Sequence, residues 1–192
     1  MLNRDRMVKA LTNSPAAVRF EEQAVARLAD VAPAVDQDVM TAMFNLVRAS
    51  TRVVQDLELT VHRPAGWSWA GFRIMFTILV AGPLEERELA RLAGVSRASI
   101  SAVLNTLERD GLVARARRSG DRRLVTVDLT AFGRDRLLDV YARHHAAERG
   151  WLAGLSREEV RQLSGLLRKL LAPQDPVGLA SETATGRDRS GR

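Results

Sequence analysis

Residues 84–130 constrain the fold of this chain more than any other stretch, because they predict two short amphipathic helices separated by a tight turn. The first helix is predicted over 84–93, and Gly94 ends it. Ser96 suits the N-cap of the second helix, since its hydroxyl accepts from an unpaired amide of the first turn. Apolar residues then recur at helical spacing on one face: Ile100, Val103, Leu104 and Leu107. This pattern predicts a helix-turn-helix.

A β-hairpin is predicted directly after the second helix. Gly111 ends that helix, and LVARARR and LVTVDL then alternate as two strands joined by SGDRR. We therefore predict a mainly α fold with a small β-hairpin, in which a winged helix-turn-helix lobe of about residues 66–130 is flanked by long dimerisation helices. The hairpin is rich in arginine, with Asp121 as its only acid between the strands: Arg115, Arg117, Arg118, Arg122 and Arg123.

The polar side of the second helix fits the major groove of DNA. It carries small residues that let the backbone approach and a few side chains that reach base edges. A solvated helix is the alternative, but such a helix usually carries glutamate and lysine at these positions. An arginine of the wing fits a narrow minor groove, where the potential is most negative. The predicted contacts with double-stranded DNA are Ser96, Arg97, Ala98, Ser99, Ser101, Asn105, Arg118, Asp121, Arg122 and Arg123.

The run LARLAGVSRASISAVLNTLERDGLVARARRSGDRRLVTVDLTAFG resembles the DNA-binding core of the MarR family of bacterial transcriptional regulators. The resemblance includes the Asp-x-Arg of the wing (Asp121 and Arg123) and the Leu-Thr-x-x-Gly that opens the next helix, and extends more weakly over residues 39–171. It implies a homodimer that binds a palindromic operator, usually represses, and is usually released by a small ligand. A DNA-organising protein that responds to no ligand and has little sequence preference is the alternative.

The segments on both sides of the lobe predict the rest of the architecture. Residues 1–35 read as a polar leader and an added helix that starts at Ser14-Pro15, and residues 36–172 as the winged domain with its dimerisation helices. A long helix is predicted from Asp36 to Val61, and Ser156 with Glu159 predicts a capping box for the last helix. Long apolar helices at both ends indicate a two-fold dimer. Residues 173–192 are polar, and we expect them to be disordered.

An effector site is predicted where the long helix meets the lobe, as the resemblance to the MarR family implies. The candidate ligand-binding residues are His62, Trp67, Trp69 and Arg73. Aromatic walls beside a guanidinium suit a small aromatic acid or a phenol. The alternative is that the tryptophans belong to the core and the arginine to the surface. MarR-type regulators that respond to urate resemble this chain in Gly66-Trp67 and in an added N-terminal helix, but they carry aspartate where Ser68 stands, which argues against urate.

Composition restricts the chemistry of the chain. It has no cysteine, which excludes disulfides, thiolate metal sites and cysteine-based peroxide sensing. Its three histidines do not form an i, i+4 pair, and neither a nucleophile elbow nor a phosphate loop is found. We therefore predict no enzymatic activity, no metal and no cofactor. No stretch reaches the length of a membrane span and no signal region is evident, so a cytoplasmic location is expected.

Overall fold

The computed structural model describes residues 34–117 and 125–172, together with residues 23, 26, 27, 31 and 32. The predicted leader, most of the added helix, the tip of the wing and the predicted C-terminal tail lie outside the described residues. The four described residues of the added helix at positions 23, 26, 27 and 31 are helical. Chain contacts divide the protein into two compact units, residues 1–149 and 150–192.

The first long helix, α1 (Gln37–Leu57), confirms the helix predicted from Asp36. The carboxylate of Asp36 caps it by accepting from the amides of Asp38 and Val39, at 3.0 and 3.1 Å. The end differs from the prediction, because the chain widens into a π-helical turn (Glu58–His62) and then tightens into a 3₁₀ turn (Arg63–Ala65). Within the π-helical turn two consecutive side chains, those of Val61 and His62, are buried.

Helix α2 (Trp69–Ala81) forms the centre of the first unit. Ser68 caps it by accepting from the amide of Gly71 at 3.1 Å, and Gly82 ends it with a φ of 80°. One side of the helix is buried, whereas Val80 on another side is 71% exposed. The buried side chains are Phe72, Ile74, Met75 and Ile78.

The winged lobe follows α2. Its elements are β1 (Leu84–Glu85), α3 (Glu86–Ala93), α4 (Arg97–Arg109), β2 (Val113–Arg117) and β3 (Val125–Leu129). The strands form an antiparallel sheet in the order β1-β3-β2, with Leu84 opposite Val127 and Val113 opposite Leu129. The prediction of a helix from residue 84 is wrong for its first two residues. Pairing with β3 satisfies backbone groups that the first turn of a helix would leave unpaired.

Helix α5 (Ala131–Trp151) leaves the lobe as predicted from Thr130. The Thr130 hydroxyl accepts from the amide of Gly133 at 2.8 Å. Gly133 lies so close to the backbone of Leu112 that a Cβ atom would stand 1.9 Å from the carbonyl oxygen. This approach fixes the start of α5 against the start of β2. The buried face of α5 then carries Leu137, Val140 and His144.

The second unit contains helix α6 (Arg157–Leu171). Its predicted capping box is confirmed: the Ser156 hydroxyl accepts from the amide of Glu159 at 3.2 Å, and the Glu159 carboxylate accepts from the amide of Ser156 at 2.7 Å. No residue of α6 is buried.

Candidate DNA-recognition helix and neighbouring cavity

Helix α4 has one buried and one exposed face. Ile100, Leu104 and Leu107 are at most 3% exposed and pack into the core. The opposite face is open to solvent over its whole length. All predicted DNA contacts on this helix lie on the exposed side: Ser96, Arg97, Ala98, Ser99, Ser101 and Asn105.

The two serines at the start of α4 hold the helix terminus. Ser96 accepts from the amide of Ser99 at 3.2 Å, and their hydroxyl oxygens are 2.8 Å apart. Arg97 follows the cap and forms no ion pair with any described residue. Its guanidinium is therefore available to a phosphate beside the first turn of the helix.

Arg115, on strand β2, is paired with side chains of the helix-turn-helix. Only 26% of its side chain is exposed, and its Nη1 donates to the Glu108 carboxylate and to Asn105 Oδ1, the latter at 3.1 Å. Its Nη2 lies 3.8 Å from Glu86 Oε2. Within the predicted wing cluster, the charge of Arg115 is thus neutralised inside the lobe and does not project from it. Arg118, Asp121, Arg122 and Arg123 lie outside the described residues.

The carboxylates around Arg115 are anchored in turn. Glu86 accepts from the hydroxyl of Ser101, and Glu108 accepts from the backbone amide of Arg115 at 3.3 Å. These contacts join the start of α3, the exposed side of α4 and strand β2. We call this group of five side chains the surface network: Glu86, Ser101, Asn105, Glu108 and Arg115.

A cavity of about 510 Å³ lies beside α2, within the first unit. The end of α3, at Leu92 and Ala93, forms one part of its wall. Aromatic and polar side chains from α2 and α5 form most of the rest: Trp69, Phe72, Arg73, Phe76, Thr77, Tyr141, His144 and Glu148. The cavity is thus bounded by the helix-turn-helix and by the helix that leaves it.

Arg73 connects this cavity with the turn between α3 and α4. Its guanidinium lies 5.9 Å from the ring centroid of Trp69. It also packs on Gly94, where a Cβ atom would stand 2.1 Å from Arg73 Nη2. Gly94 has a φ of 60°, so glycine suits both the conformation and the close approach.

A chain of hydrogen bonds runs from the cavity wall, at Glu148 and His144, to the buried His62. His62 Nε2 is 3.1 Å from His144 Nδ1, and His144 Nε2 is 3.0 Å from Glu148 Oε1. Since a carboxylate only accepts, His144 Nε2 donates to Glu148, and when the ring of His144 is neutral its Nδ1 accepts from His62 Nε2. We call these three residues the histidine chain.

His62, the inner end of the histidine chain, is 0% exposed. Its ring stacks on Trp69 and Phe72, with centroids 5.3 and 4.3 Å apart. Its Nδ1 has no hydrogen-bond partner among the described residues. Burial, and then the neighbouring His144, lowers the pKa of His62 to about 4. The ring is therefore neutral at pH 7.

The structure does not bring all four candidate ligand residues together. Trp69 and Arg73 line the cavity, and His62 stands behind Trp69. Trp67 instead lines a separate groove of about 350 Å³ against the back of α4, beside Val103 and Thr106. The two tryptophans face different spaces because Ser68 caps α2 between them.

Several cavity residues were missed by sequence reasoning. Phe76, Tyr141 and Glu148 lie on helices predicted only to pack or to dimerise, and α5 is about 70 positions beyond α2 in the chain. The one available signal was His144, a polar residue within an apolar helical stripe. Among the described residues no cluster of three or more metal-ligating side chains occurs. None of the described helices has the length and apolarity of a membrane span.

Comparison with known proteins gives one consistent family. A sequence model of the MarR family matches residues 67–125. The chain is 36% identical over 126 residues to an uncharacterized HTH-type transcriptional regulator, YwaE, of Bacillus subtilis, covering 66% of this chain and 74% of the relative. The HTH-type transcriptional repressor YetL of the same organism is 30% identical, over 57% of this chain and 70% of its own length. The crystal structure of NadR in complex with 4-hydroxyphenylacetate superposes with a TM-score of 0.58 and 26% identity, covering 68% of this chain and 92% of NadR.

Proposed function

Because this chain belongs to the MarR family of transcriptional regulators, we propose that it is a repressor that binds a pseudo-palindromic operator as a homodimer and leaves it when a small aromatic ligand binds. One observation supports the ligand response: residues of α3 line the cavity beside α2, and Arg73 of the cavity wall packs on Gly94 in the turn that precedes α4. A molecule in this cavity therefore contacts α3 and the arginine that packs on the turn before α4.

The DNA-binding part of the proposal rests on α4. Its exposed side offers small residues and few long side chains, as a helix in the major groove requires. Ala98, Ser101 and Asn105 are the contacts that reach bases, and Arg97 contacts a phosphate. On the wing, the sequence supplies further positive charge at Arg118, Arg122 and Arg123.

The homodimer accounts for two apolar stripes that are open to water. On α1, Val39, Met43 and Val47 recur every four residues and are 47–59% exposed. On α6, the exposed stripe comprises Leu163, Leu166, Leu170 and Leu171. Contiguous exposed apolar residues on both long helices are typical of an interaction surface. We propose that a second copy of the chain covers both stripes.

A small aromatic acid or phenol suits the cavity beside α2. Its volume of about 510 Å³ lies within the usual range for ligand sites. Trp69, Phe76 and Tyr141 offer ring faces, and the Arg73 guanidinium offers a partner for a carboxylate. The similarity to NadR, which was crystallised with 4-hydroxyphenylacetate, supports this ligand class.

Release from DNA follows from the position of Arg73. A ligand shifts an equilibrium only if it binds the two states with different affinity. A carboxylate that draws the Arg73 guanidinium into the cavity removes it from Gly94, and this favours an altered turn before α4. Arg73→Gln lacks the contact with Gly94 whether or not ligand is bound, so it should bind the operator more weakly than wild type and show no further release with the ligand.

Tryptophan fluorescence tests the ligand site with a matched control. Titration of wild-type protein with 4-hydroxyphenylacetate and related aromatic acids should quench Trp69. The quenching should disappear in Trp69→Phe and persist in Trp67→Phe, since Trp67 lines the other groove. If quenching is lost in Trp67→Phe and kept in Trp69→Phe, the ligand occupies the groove behind α4 and the proposed site is wrong.

Selection from randomised duplex DNA tests the regulator against the DNA-organising alternative. The wild-type protein should enrich a pseudo-palindrome with half-sites about one helical turn apart, ~34–36 Å. Light scattering should give a dimer of the free protein and one dimer per selected duplex. Enrichment of no motif would favour an organiser, and a monomeric free protein would remove the proposed use of the apolar stripes.

A further inference from the structure

We propose that Arg115 is a positioning residue that determines which base the recognition helix reads, by holding the oxygen of Asn105 and turning its amide nitrogen outward. The inference rests on the proposed binding of α4 in the major groove. It concerns the surface network, which sequence reasoning did not predict.

The orientation of the Asn105 amide follows from the chemistry of its partner. A guanidinium only donates, so the atom that faces Arg115 Nη1 at 3.1 Å must be the carbonyl oxygen Oδ1. The amide nitrogen of Asn105 then points away from Arg115 and makes no hydrogen bond with a described residue. The exposed end of this side chain is therefore a donor.

Arg115 is held firmly enough to impose this orientation. Glu108 accepts from its guanidinium and from its backbone amide, while Glu86 lies 3.8 Å from its Nη2. The side chain is only 26% exposed. Contacts from α3 and α4 thus fix a residue of β2 in one place, which lowers the entropic cost of holding Asn105.

An asparagine whose oxygen is held by a cation reads DNA differently from a free one. A free asparagine pairs with adenine by donating to N7 and accepting from the N6 amino group. The carbonyl oxygen Oδ1 keeps a second lone pair, but the Arg115 cation beside it weakens it as an acceptor and repels the positively polarised N6 amino group of adenine. Guanine presents acceptors at both N7 and O6. Asn105 should therefore favour guanine over adenine, on the order of tenfold.

The first test identifies the base that Asn105 reads in the duplex selected by the wild-type protein. Its selected duplex is compared with the duplex bound by Asn105→Ala, and the base pair whose preference disappears is the one that Asn105 reads. Wild-type protein should bind guanine at this position on the order of tenfold more tightly than adenine, by fluorescence anisotropy. A preference for adenine would overturn the proposal.

The second test releases Asn105 without changing the net charge. The variant Arg115→Met with Glu108→Ala removes one positive and one negative charge and leaves Oδ1 free. Its preference should move toward adenine, with other positions of the motif unchanged. A guanine preference that survives in a folded variant, as judged by circular dichroism, would refute a role for Arg115.

The matched control removes another ion pair from the same lobe. On α3, Arg91 Nε donates to Glu88 Oε2 at 2.9 Å, and neither residue belongs to the surface network. Arg91→Met with Glu88→Ala should keep the wild-type preference for guanine; a shift toward adenine in this control too would show that the change does not come from Asn105.

If wild-type protein enriches no motif, the proposed function itself fails. A motif with adenine at the Asn105 position overturns only the role of Arg115.

Discussion

The surface network and the histidine chain are both continuous sets of polar contacts, yet every member of the first is at least partly exposed, whereas the second runs from the partly exposed Glu148 to the fully buried His62. The surface network carries formal charges, and water reaches most of its side chains. The histidine chain is buried at His62, where one ring nitrogen has no partner among the described residues. Exposed ion pairs contribute little to stability, whereas a buried polar group affects it strongly. We infer that the surface network serves DNA reading and that the histidine chain couples folding to pH.

The pH dependence of stability should separate the two regions most clearly. Above about pH 6.5 His62 is neutral in both the folded and the unfolded chain. As the pH falls toward about 4, His62 becomes protonated in the unfolded chain but stays neutral in the folded chain, because burial lowers its pKa there. The free energy of unfolding should thus fall by about 3 kcal/mol across this window.

Chemical denaturation at several pH values measures this loss. His62→Leu removes the titrating ring and should flatten the curve relative to wild type. His145→Gln, which removes an exposed imidazole on α5, serves as the control. Equal slopes for wild type and His62→Leu would show that the buried ring does not govern the pH response.

A substitution at Gly94, in the turn between α3 and α4, should change the stability by an intermediate amount. Gly94→Ala places a side chain at a φ of 60° and against the Arg73 guanidinium, which is a flexible group that can move away. We expect the free energy of unfolding, measured by thermal denaturation, to fall by about 1 kcal/mol because of backbone strain. The displaced guanidinium should also weaken release by aromatic acids. Unchanged release would mean that the contact between Arg73 and Gly94 does not transmit ligand binding.

A smaller change in stability is expected when the surface network is broken. The charge-balanced variant Arg115→Met with Glu108→Ala should lose no more than about 1 kcal/mol, because both side chains are partly exposed. Urea denaturation at pH 7 measures the difference. A loss as large as that predicted for acidification would make the surface network a folding element and contradict the contrast drawn above.

The smallest effect on stability should come from Asn105→Ala. Its side chain is exposed, so the free energy of unfolding should change by less than about 0.5 kcal/mol. Binding to the selected duplex should nevertheless weaken by ~1–3 kcal/mol, while binding to random DNA changes little. Equal weakening on both kinds of DNA would remove Asn105 from base reading.

The elements that were predictable from sequence are those with local causes. The turn at Gly94, the caps at Ser96 and Thr130 and the capping box at Ser156 each depend on residues within one helical turn, and the structure confirms all four. Strand β1 was missed because its two residues pair with β3, about 40 positions later. Local spacing carries no record of such a partner.

The sites were only partly predictable for the same reason. The exposed side of α4 follows from helical periodicity, and so the candidate residues there are confirmed as exposed. The pairing of Arg115 with Asn105 joins a strand to a helix, and the contact between His62 and His144 spans 82 positions. Trp67 and Trp69 are two residues apart, yet they face different spaces because a helix begins between them.

Thermodynamic linkage between the cavity and DNA tests the central claim most directly. If a ligand in the cavity weakens operator binding, operator DNA must weaken ligand binding by the same factor. The affinity of an aromatic acid, followed by quenching of Trp69 in Trp67→Phe protein, should be measured with and without the selected duplex. The account predicts that bound duplex raises the dissociation constant of the acid by a certain factor. Bound acid should raise the dissociation constant of the duplex by the same factor. An affinity for the acid that is the same with and without the duplex would contradict it.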